Sequence, residues 1–145
     1  MKGRIKAICV SEKKGTAKKP VPSVKLLVGH GILGDAHAGN WHRQVSLLSY
    51  DKVCDFCRSG VQVGDGDFGE NILASGIDFR ALPIGTRLRC GEDVLLEITQ
   101  IGKECHSHCA IYAQVGDCIM PREGVFARVL CEGVLRENDS IWVEQ

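Results

Sequence analysis

The sequence predicts a mostly β protein, an antiparallel barrel or sandwich with a few short helices. Its apolar segments are short and frequent, which is typical of strands rather than of a parallel sheet with crossover helices. Glycine and aspartate separate many of these segments and mark turns, as at residues 91–93. The chain has 145 residues, close to the commonest domain size. We therefore expect a single domain over residues 1–145.

The first half of the chain is expected to contain three strands and one short helix. Strands are predicted at 3–11, 24–28 and 44–48. The first alternates basic and apolar side chains before becoming fully apolar, which indicates a strand buried at one end. Pro20 and Pro22 lack the N–H that a central strand donates, so the second strand begins only after them. Ser49 suits the N-cap of a helix that Gly60 would end.

The second half is expected to be richer in strands. Strands are predicted at 86–90, 94–99 and 124–131, with a closing hairpin formed by 134–135 and 140–143. The segment 94–99 is aliphatic and β-branched, which favours a central position in the sheet. Arg128 is the lone charge inside an otherwise apolar strand. One or two helical turns are predicted at 110–115.

Charge and hydropathy exclude several classes of partner. The chain has 18 basic and 18 acidic residues, so no global field attracts nucleic acid or an anionic membrane. Up to His30 the chain has eight basic residues and one acidic residue, which favours a solvated lysine-rich hairpin over a docking patch. The N-terminus carries charges where a signal peptide is apolar, and no apolar run is long enough for a membrane span. A cytoplasmic location is expected.

Eight cysteines in such a chain are better interpreted as reduced core residues, metal ligands or reactive thiols than as a disulfide framework. Cys9, Cys90 and Cys131 lie in or beside apolar segments, where cysteine acts as a small hydrophobe. Cys54 and Cys57 form a Cys-x-x-Cys pair within the predicted helix. Because that pair lacks a βαβ setting, incidental cysteines are favoured over a redox motif or a zinc knuckle.

A reactive thiol is predicted in the loop after the central strand. Cys105 follows Lys103 by two residues and is flanked by His106 and His108, surroundings that favour the thiolate. It would act as a nucleophile or sulfur carrier, with a histidine as proton partner. A metal site that also used Cys109 is a second interpretation, although four ligands within five residues crowd a tetrahedron. A third is an exposed loop without chemistry. We favour the first and assign no metal site.

Two glycine-rich loops contain further candidate residues. The segment 29–44 has four glycines, three histidines, an aspartate and an arginine, a composition able to bind a metal, a phosphate or a pterin-like heterocycle. Arg43 is the strongest candidate because a guanidinium makes forked hydrogen bonds to phosphate. Asp35 and His37 either contact a ligand or only brace the loop. Nucleotide binding of the Rossmann or Walker type is disfavoured, since both motifs are missing from the sequence.

Six blocks of the sequence, taken together and in order, resemble the MOSC domain, named for the C-terminal domain of molybdenum cofactor sulfurases. The blocks are 31–39, 43–48, 68–72, 82–85, 96–100 with Cys105, and 124–129. The ordered set covers nearly the whole chain and is specific. The resemblance implies a β-rich, barrel-like fold, binding of molybdenum cofactor (molybdopterin) or a related pterin, and a cysteine that carries sulfur toward a metal–sulfur centre.

The resemblance also implies roles for individual residues. The sulfur-carrying cysteine corresponds to Cys105. The basic and polar residues near the cofactor correspond to Arg43, Glu70, Asn71 and Arg128. Many relatives have proline before the cysteine, whereas this chain has Glu104, whose charge opposes the thiolate.

The leading hypothesis is a protein that binds molybdenum cofactor in a cleft and carries sulfur as a persulfide for cofactor sulfuration or metal–sulfur assembly. No desulfurase domain is recognised, so a cysteine desulfurase or another sulfur donor is expected as a partner, with a molybdoenzyme as acceptor. The rival hypothesis is a non-catalytic module that only binds the cofactor, or binds zinc through the Cys/His cluster.

Overall fold

A computed structural model describes residues 1–58, 60, 62–103 and 119–144. The strands are β1 (Lys2–Val10), β2 (Lys19–Val21), β3 (Ser23–Leu27), β4 (Gly31–Ile32), β5 (Val45–Ser49), β6 (Ile72–Ser75), β7 (Arg87–Cys90), β8 (Val94–Ile101), β9 (Val125–Cys131), β10 (Gly133–Arg136) and β11 (Ser140–Val143). The helices are α1 (Tyr50–Cys57), a 3-10 turn (Phe79–Ala81) and α2 (Met120–Glu123). The predicted strands are confirmed to within about two residues at most ends.

Seven strands close into a barrel in the order β11, β7, β8, β9, β5, β6 and β1, and β1 pairs again with β11. β2 extends the sheet beyond β1, where its proline is tolerated because an edge strand needs fewer ladder donors. A small sheet of β10, β3 and β4 packs beside the barrel. The prediction of a mostly β, barrel-like fold is confirmed.

The core has two parts, one on each side of the barrel wall. The interior is filled by aliphatic side chains such as Ile5, Leu47 and Leu96, all fully buried. A second cluster lies beneath α1, where Leu48 and Val53 are buried. Because successive strand residues point to opposite faces, β5 contributes to both clusters, and all five of its residues are buried.

Two pairings differ from the sequence prediction. β5 and β6 are parallel, because α1 carries the chain back across the outside of the barrel between them. The prediction of a closing hairpin is wrong. β10 pairs with β3, whereas β11 pairs with β7 and β1. With a partner on each edge, β11 has no free edge for β10. Within the described residues, no helix has the length and apolar character needed to cross a membrane.

Candidate functional site

A cavity of about 600 Å³ opens where β8 ends, and we call it the cationic cavity. Its described lining is Arg43, Arg80, Gln100, Ile101, Gly102, Lys103 and Pro121. Three of these residues are cations, and no acidic residue is among the described lining. Positive charge concentrated in a concave surface favours an anionic ligand. The cavity brings together Arg43 and Lys103, which the sequence analysis identified separately.

The end of β8 is shaped by a bulge and a glycine. The register with β9 shifts between Ile98 and Gln100, which redirects the side chains that follow. Gly102 then adopts a left-handed conformation with φ of 67°. Its N–H donates to the carbonyl of Gly124 at 2.7 Å, and the N–H of Lys103 donates to the carbonyl of Pro121 at 3.2 Å. These bonds fix the backbone of Lys103 at the cavity wall.

Substituting Gly102 with alanine is expected to destabilise the protein and displace Lys103. The new Cβ would lie 2.6 Å from the carbonyl oxygen of Pro121, a backbone atom that cannot move freely. The left-handed conformation adds roughly 1–2 kcal/mol for any residue with a Cβ. The control is Gly85→Ala, because Gly85 has φ of 94° but open space around it. Urea denaturation should show a larger decrease in the free energy of unfolding for Gly102→Ala than for Gly85→Ala. Equal decreases would contradict the steric argument.

The guanidinium of Arg43 is held in place from two directions. Its Nε donates to Gln100 Oε1 at 3.0 Å, and its central carbon lies 5.2 Å from the centre of the Phe126 ring. Gln100 is itself fixed, because its Nε2 donates to the carbonyl of Gly102 at 2.8 Å. The two terminal nitrogens are therefore the donors that Arg43 would offer to a phosphate.

Asp35 is buried and makes contacts within the protein. Its Oδ1 accepts from Lys18 Nζ at 2.7 Å and from the N–H of Ser11 at 3.1 Å, and its Oδ2 accepts from the N–H of His37 at 3.1 Å. Burial opposes ionisation, but the hydrogen bond and charge of Lys18 outweigh it and lower the pKa of Asp35. These contacts correspond to the bracing interpretation; contact with a ligand stays a prediction.

His37 lies next to this buried carboxylate, with its Nδ1 3.9 Å from Asp35 Oδ2. Burial and the nearby charge of Lys18 lower the pKa of His37 to about 4. The imidazole is therefore neutral at pH 7. A ligand role for His37 would use a neutral ring and not a cation.

Glu70 and Asn71 are fully buried and hold their loop. The Glu70 carboxylate accepts from the N–H groups of Gly66 and Phe68 at 2.9 and 3.1 Å, and burial raises its pKa to about 7. Asn71 Oδ1 accepts from the N–H of Ser46 at 2.9 Å. Neither residue is among the described lining of the cationic cavity, and their proposed contact with a cofactor stays a prediction.

Arg128 belongs to a second cavity of about 340 Å³, which we call the aromatic cavity. Its lining is Val28, Gly29, Asn40, Trp41, His42, Gln44, Thr99, Arg128, Val129 and Leu130. Arg128 is exposed on β9, and its Nη2 lies 2.7 Å from Glu97 Oε1. Arg43 and Arg128 therefore line different cavities, and the cofactor cleft predicted for Arg43, Glu70, Asn71 and Arg128 stays a prediction.

The predicted thiol loop lies outside the described residues, which resume only at residue 119. This applies to Cys105, His106, His108 and Cys109, and to the helical turns predicted at 110–115. Lys103 is the last described residue before them, and it lines the cationic cavity. Arg80 and Gln100 were not predicted from the sequence as site residues. Arg80 lies in the 3-10 turn with no motif to mark it, whereas Gln100 closes the block 96–100.

The described cysteines differ in exposure. Cys9 and Cys90 are fully buried, and burial raises the pKa of both thiols, which confirms their role as small hydrophobes. The same prediction is wrong for Cys131, which lies at the end of β9 and is exposed. Cys54 and Cys57 are half-buried on α1. In the described part of the chain, no group of three or more His, Cys, Asp or Glu side chains is arranged to hold a metal ion.

Comparison with known proteins identifies the family. The MOSC domain model matches residues 34–142. The YUAD protein from Bacillus subtilis shares the fold with a TM-score of 0.80 at 19% identity, over 97% of this chain and 94% of that one. YiiM from Geobacillus stearothermophilus gives 0.74 at 21% identity over 99% and 75%, and YiiM from Escherichia coli gives 0.69 at 17% over 98% and 70%. No curated protein matches by sequence. Since the family model covers most of its length, the chain belongs to the MOSC domain family.

Proposed function

We propose that this protein binds molybdenum cofactor, or a precursor of it, in the cationic cavity and carries sulfur on Cys105. The MOSC family is associated with binding and sulfuration of that cofactor. The observation that carries the proposal is the cavity itself, in which Arg43, Arg80 and Lys103 converge directly before the segment that contains Cys105.

The charges of the cavity fit the phosphate of a pterin cofactor. Arg43 would make forked hydrogen bonds to the phosphate, and Arg80 and Lys103 would add positive charge. The volume of about 600 Å³ is within the range of small-molecule sites. When bound, the cofactor supplies the metal centre whose sulfuration the family serves. The residues of this chain that line the cavity would hold its anionic end.

In the sequence, Cys105 follows Lys103, a residue of the cavity wall, by two positions. The Lys103 ammonium would favour the thiolate, and the charge of Glu104 would partly oppose it. In this proposal the cation that binds the ligand also activates the nucleophile.

The sulfur step needs a persulfide donor, such as a cysteine desulfurase. The Cys105 thiolate attacks the outer sulfur of the donor persulfide, the S–S bond of the donor breaks, and the donor leaves as a thiolate. Cys105 becomes a persulfide with no net oxidation or reduction. His106 or His108 would take the proton from the Cys105 thiol and return it to the departing donor thiolate. A molybdoenzyme is the proposed final acceptor.

The test is to incubate the protein with a cysteine desulfurase and cysteine and to locate the persulfide by mass spectrometry. Cys105→Ala is expected to lose the label. Cys131→Ala is the matched control, because Cys131 is an exposed thiol away from the described lining of the cavity, and it should keep the label. A Cys105→Ala protein labelled as strongly as the wild type would overturn the proposed role.

A further inference from the structure

The cationic and aromatic cavities are joined by a hydrogen-bonded pair of side chains. His42 lines the aromatic cavity and Gln100 lines the cationic one. His42 Nε2 lies 2.8 Å from Gln100 Oε1. The hydroxyl of Thr99, which also lines the aromatic cavity, donates to the carbonyl of His42 and holds its backbone. A ligand that reached both cavities would pass over this contact.

Trp41 gives the aromatic cavity a fixed flat surface. Its indole Nε1 donates to the carbonyl of His37 at 2.7 Å, which sets the orientation of the ring. The ammonium of Lys14 lies 4.6 Å from the ring centre, and Lys14 is not among the residues that line the cavity. Trp41 nevertheless remains 36% exposed. An oriented and accessible indole is a stacking surface for a planar ring.

The hydrogen bonds around Gln100 also determine the tautomer of His42. Arg43 Nε donates to Gln100 Oε1, and Gln100 Nε2 donates to the carbonyl of Gly102, so the orientation of the amide is fixed. An amide oxygen only accepts hydrogen bonds. His42 must therefore donate from Nε2, and the neutral ring carries its lone pair on Nδ1. Nδ1 is therefore the nitrogen of His42 that would accept an N–H from a ligand.

We propose that the aromatic cavity binds the fused-ring nitrogen heterocycle of the ligand whose phosphate lies in the cationic cavity. Trp41 stacks on the ring, and His42 Nδ1 accepts one of its N–H groups. Such a ligand is planar, carries N–H donors and ends in a phosphate. This inference rests on the proposed function and specifies how its ligand is divided between the two cavities.

The test measures three probes by calorimetry: inorganic phosphate, 6-hydroxymethylpterin and the phosphate ester of that pterin. Trp41→Leu is expected to weaken the binding of both pterins by about tenfold, which is within the range of one aromatic stack. The affinity for inorganic phosphate should not change. His42→Phe keeps a flat ring but lacks Nδ1, and should weaken both pterins by about fivefold, the value of one hydrogen bond. Ile84→Ala, an exposed apolar residue outside both cavities, should change none of them.

Arg43→Gln separates this inference from the proposed function. It should weaken the binding of inorganic phosphate and of the ester and leave the affinity for the free pterin unchanged. If Arg43→Gln leaves phosphate binding intact while Trp41→Leu weakens pterin binding, the proposed anion site is wrong and the proposed ring site is supported. The inference is overturned if the wild type does not bind the free pterin, if Trp41→Leu binds it as tightly, or if Trp41→Leu weakens all three probes equally.

Discussion

Lys18→Met is expected to destabilise the protein by about 3–5 kcal/mol, the usual effect of removing one member of a buried ion pair. Lys18 Nζ lies 2.7 Å from Asp35 Oδ1, and both side chains are fully buried. Methionine fills a similar volume but leaves the Asp35 carboxylate without its cation. Urea denaturation at pH 7 measures the loss. Lys13→Met, at an exposed lysine of the same hairpin, is the control and should change stability by no more than about 0.5 kcal/mol.

The loss from Lys18→Met should also depend on pH. In the wild type the pKa of Asp35 lies below its usual 3.8, so the pair stabilises the folded state above that value. The contribution is lost as the pH falls through the lower pKa of the folded state. The stability difference between wild type and Lys18→Met should therefore shrink below about pH 4. A difference that is the same at pH 7 and pH 3 would show that the pair is not its source.

Asn71→Ala is expected to destabilise the protein by about 2–5 kcal/mol. The Asn71 side chain accepts from the N–H of Ser46 at 2.9 Å and donates to the carbonyl of Cys9 at 3.0 Å, in a fully buried position. Alanine leaves both backbone groups unpaired, and each buried unpaired group costs about 1–3 kcal/mol. Guanidinium denaturation measures the change. Asn40→Ala, at an exposed asparagine, is the matched control.

This substitution also distinguishes a structural role of Asn71 from contact with a ligand. We expect inorganic phosphate to bind folded Asn71→Ala as it binds the wild type, because Asn71 is not among the described lining of the cationic cavity. Unchanged stability with a loss of phosphate binding would instead support the direct contact implied by the family resemblance. A structural role predicts lower stability with unchanged phosphate binding, whereas direct contact predicts weaker phosphate binding with unchanged stability.

The positions of strands were predictable because alternation and turn residues are local signals. The start of α1 was predictable for the same reason: Ser49 caps it, accepting from the N–H of Lys52. Strand partners are not local. The parallel pairing of β5 with β6 depends on how α1 packs, and the separation of β10 from β11 depends on which edges other strands occupy.

The site was predictable in part. Arg43 and Lys103 were recognised by residue type and position, and they line one cavity. Glu70 lies in a glycine-rich loop like a ligand-binding residue, but its carboxylate is directed inward to backbone N–H groups. Sequence shows that a side chain is polar and does not show where it points. Arg80 reaches the cavity from a turn far away in sequence, which only the folded chain brings close.

Closure of the barrel at β1 also bears on the order of folding. Lys2 pairs with Trp142, while the same strand pairs with β6 and β2 further along. Contacts so distant in sequence are slow to form, because a long loop must close before they stabilise anything. During synthesis, β1 would leave the ribosome long before β11 exists. One of its edges would then stay open to intermolecular pairing, so the nascent chain should depend on chaperones more than its small size suggests.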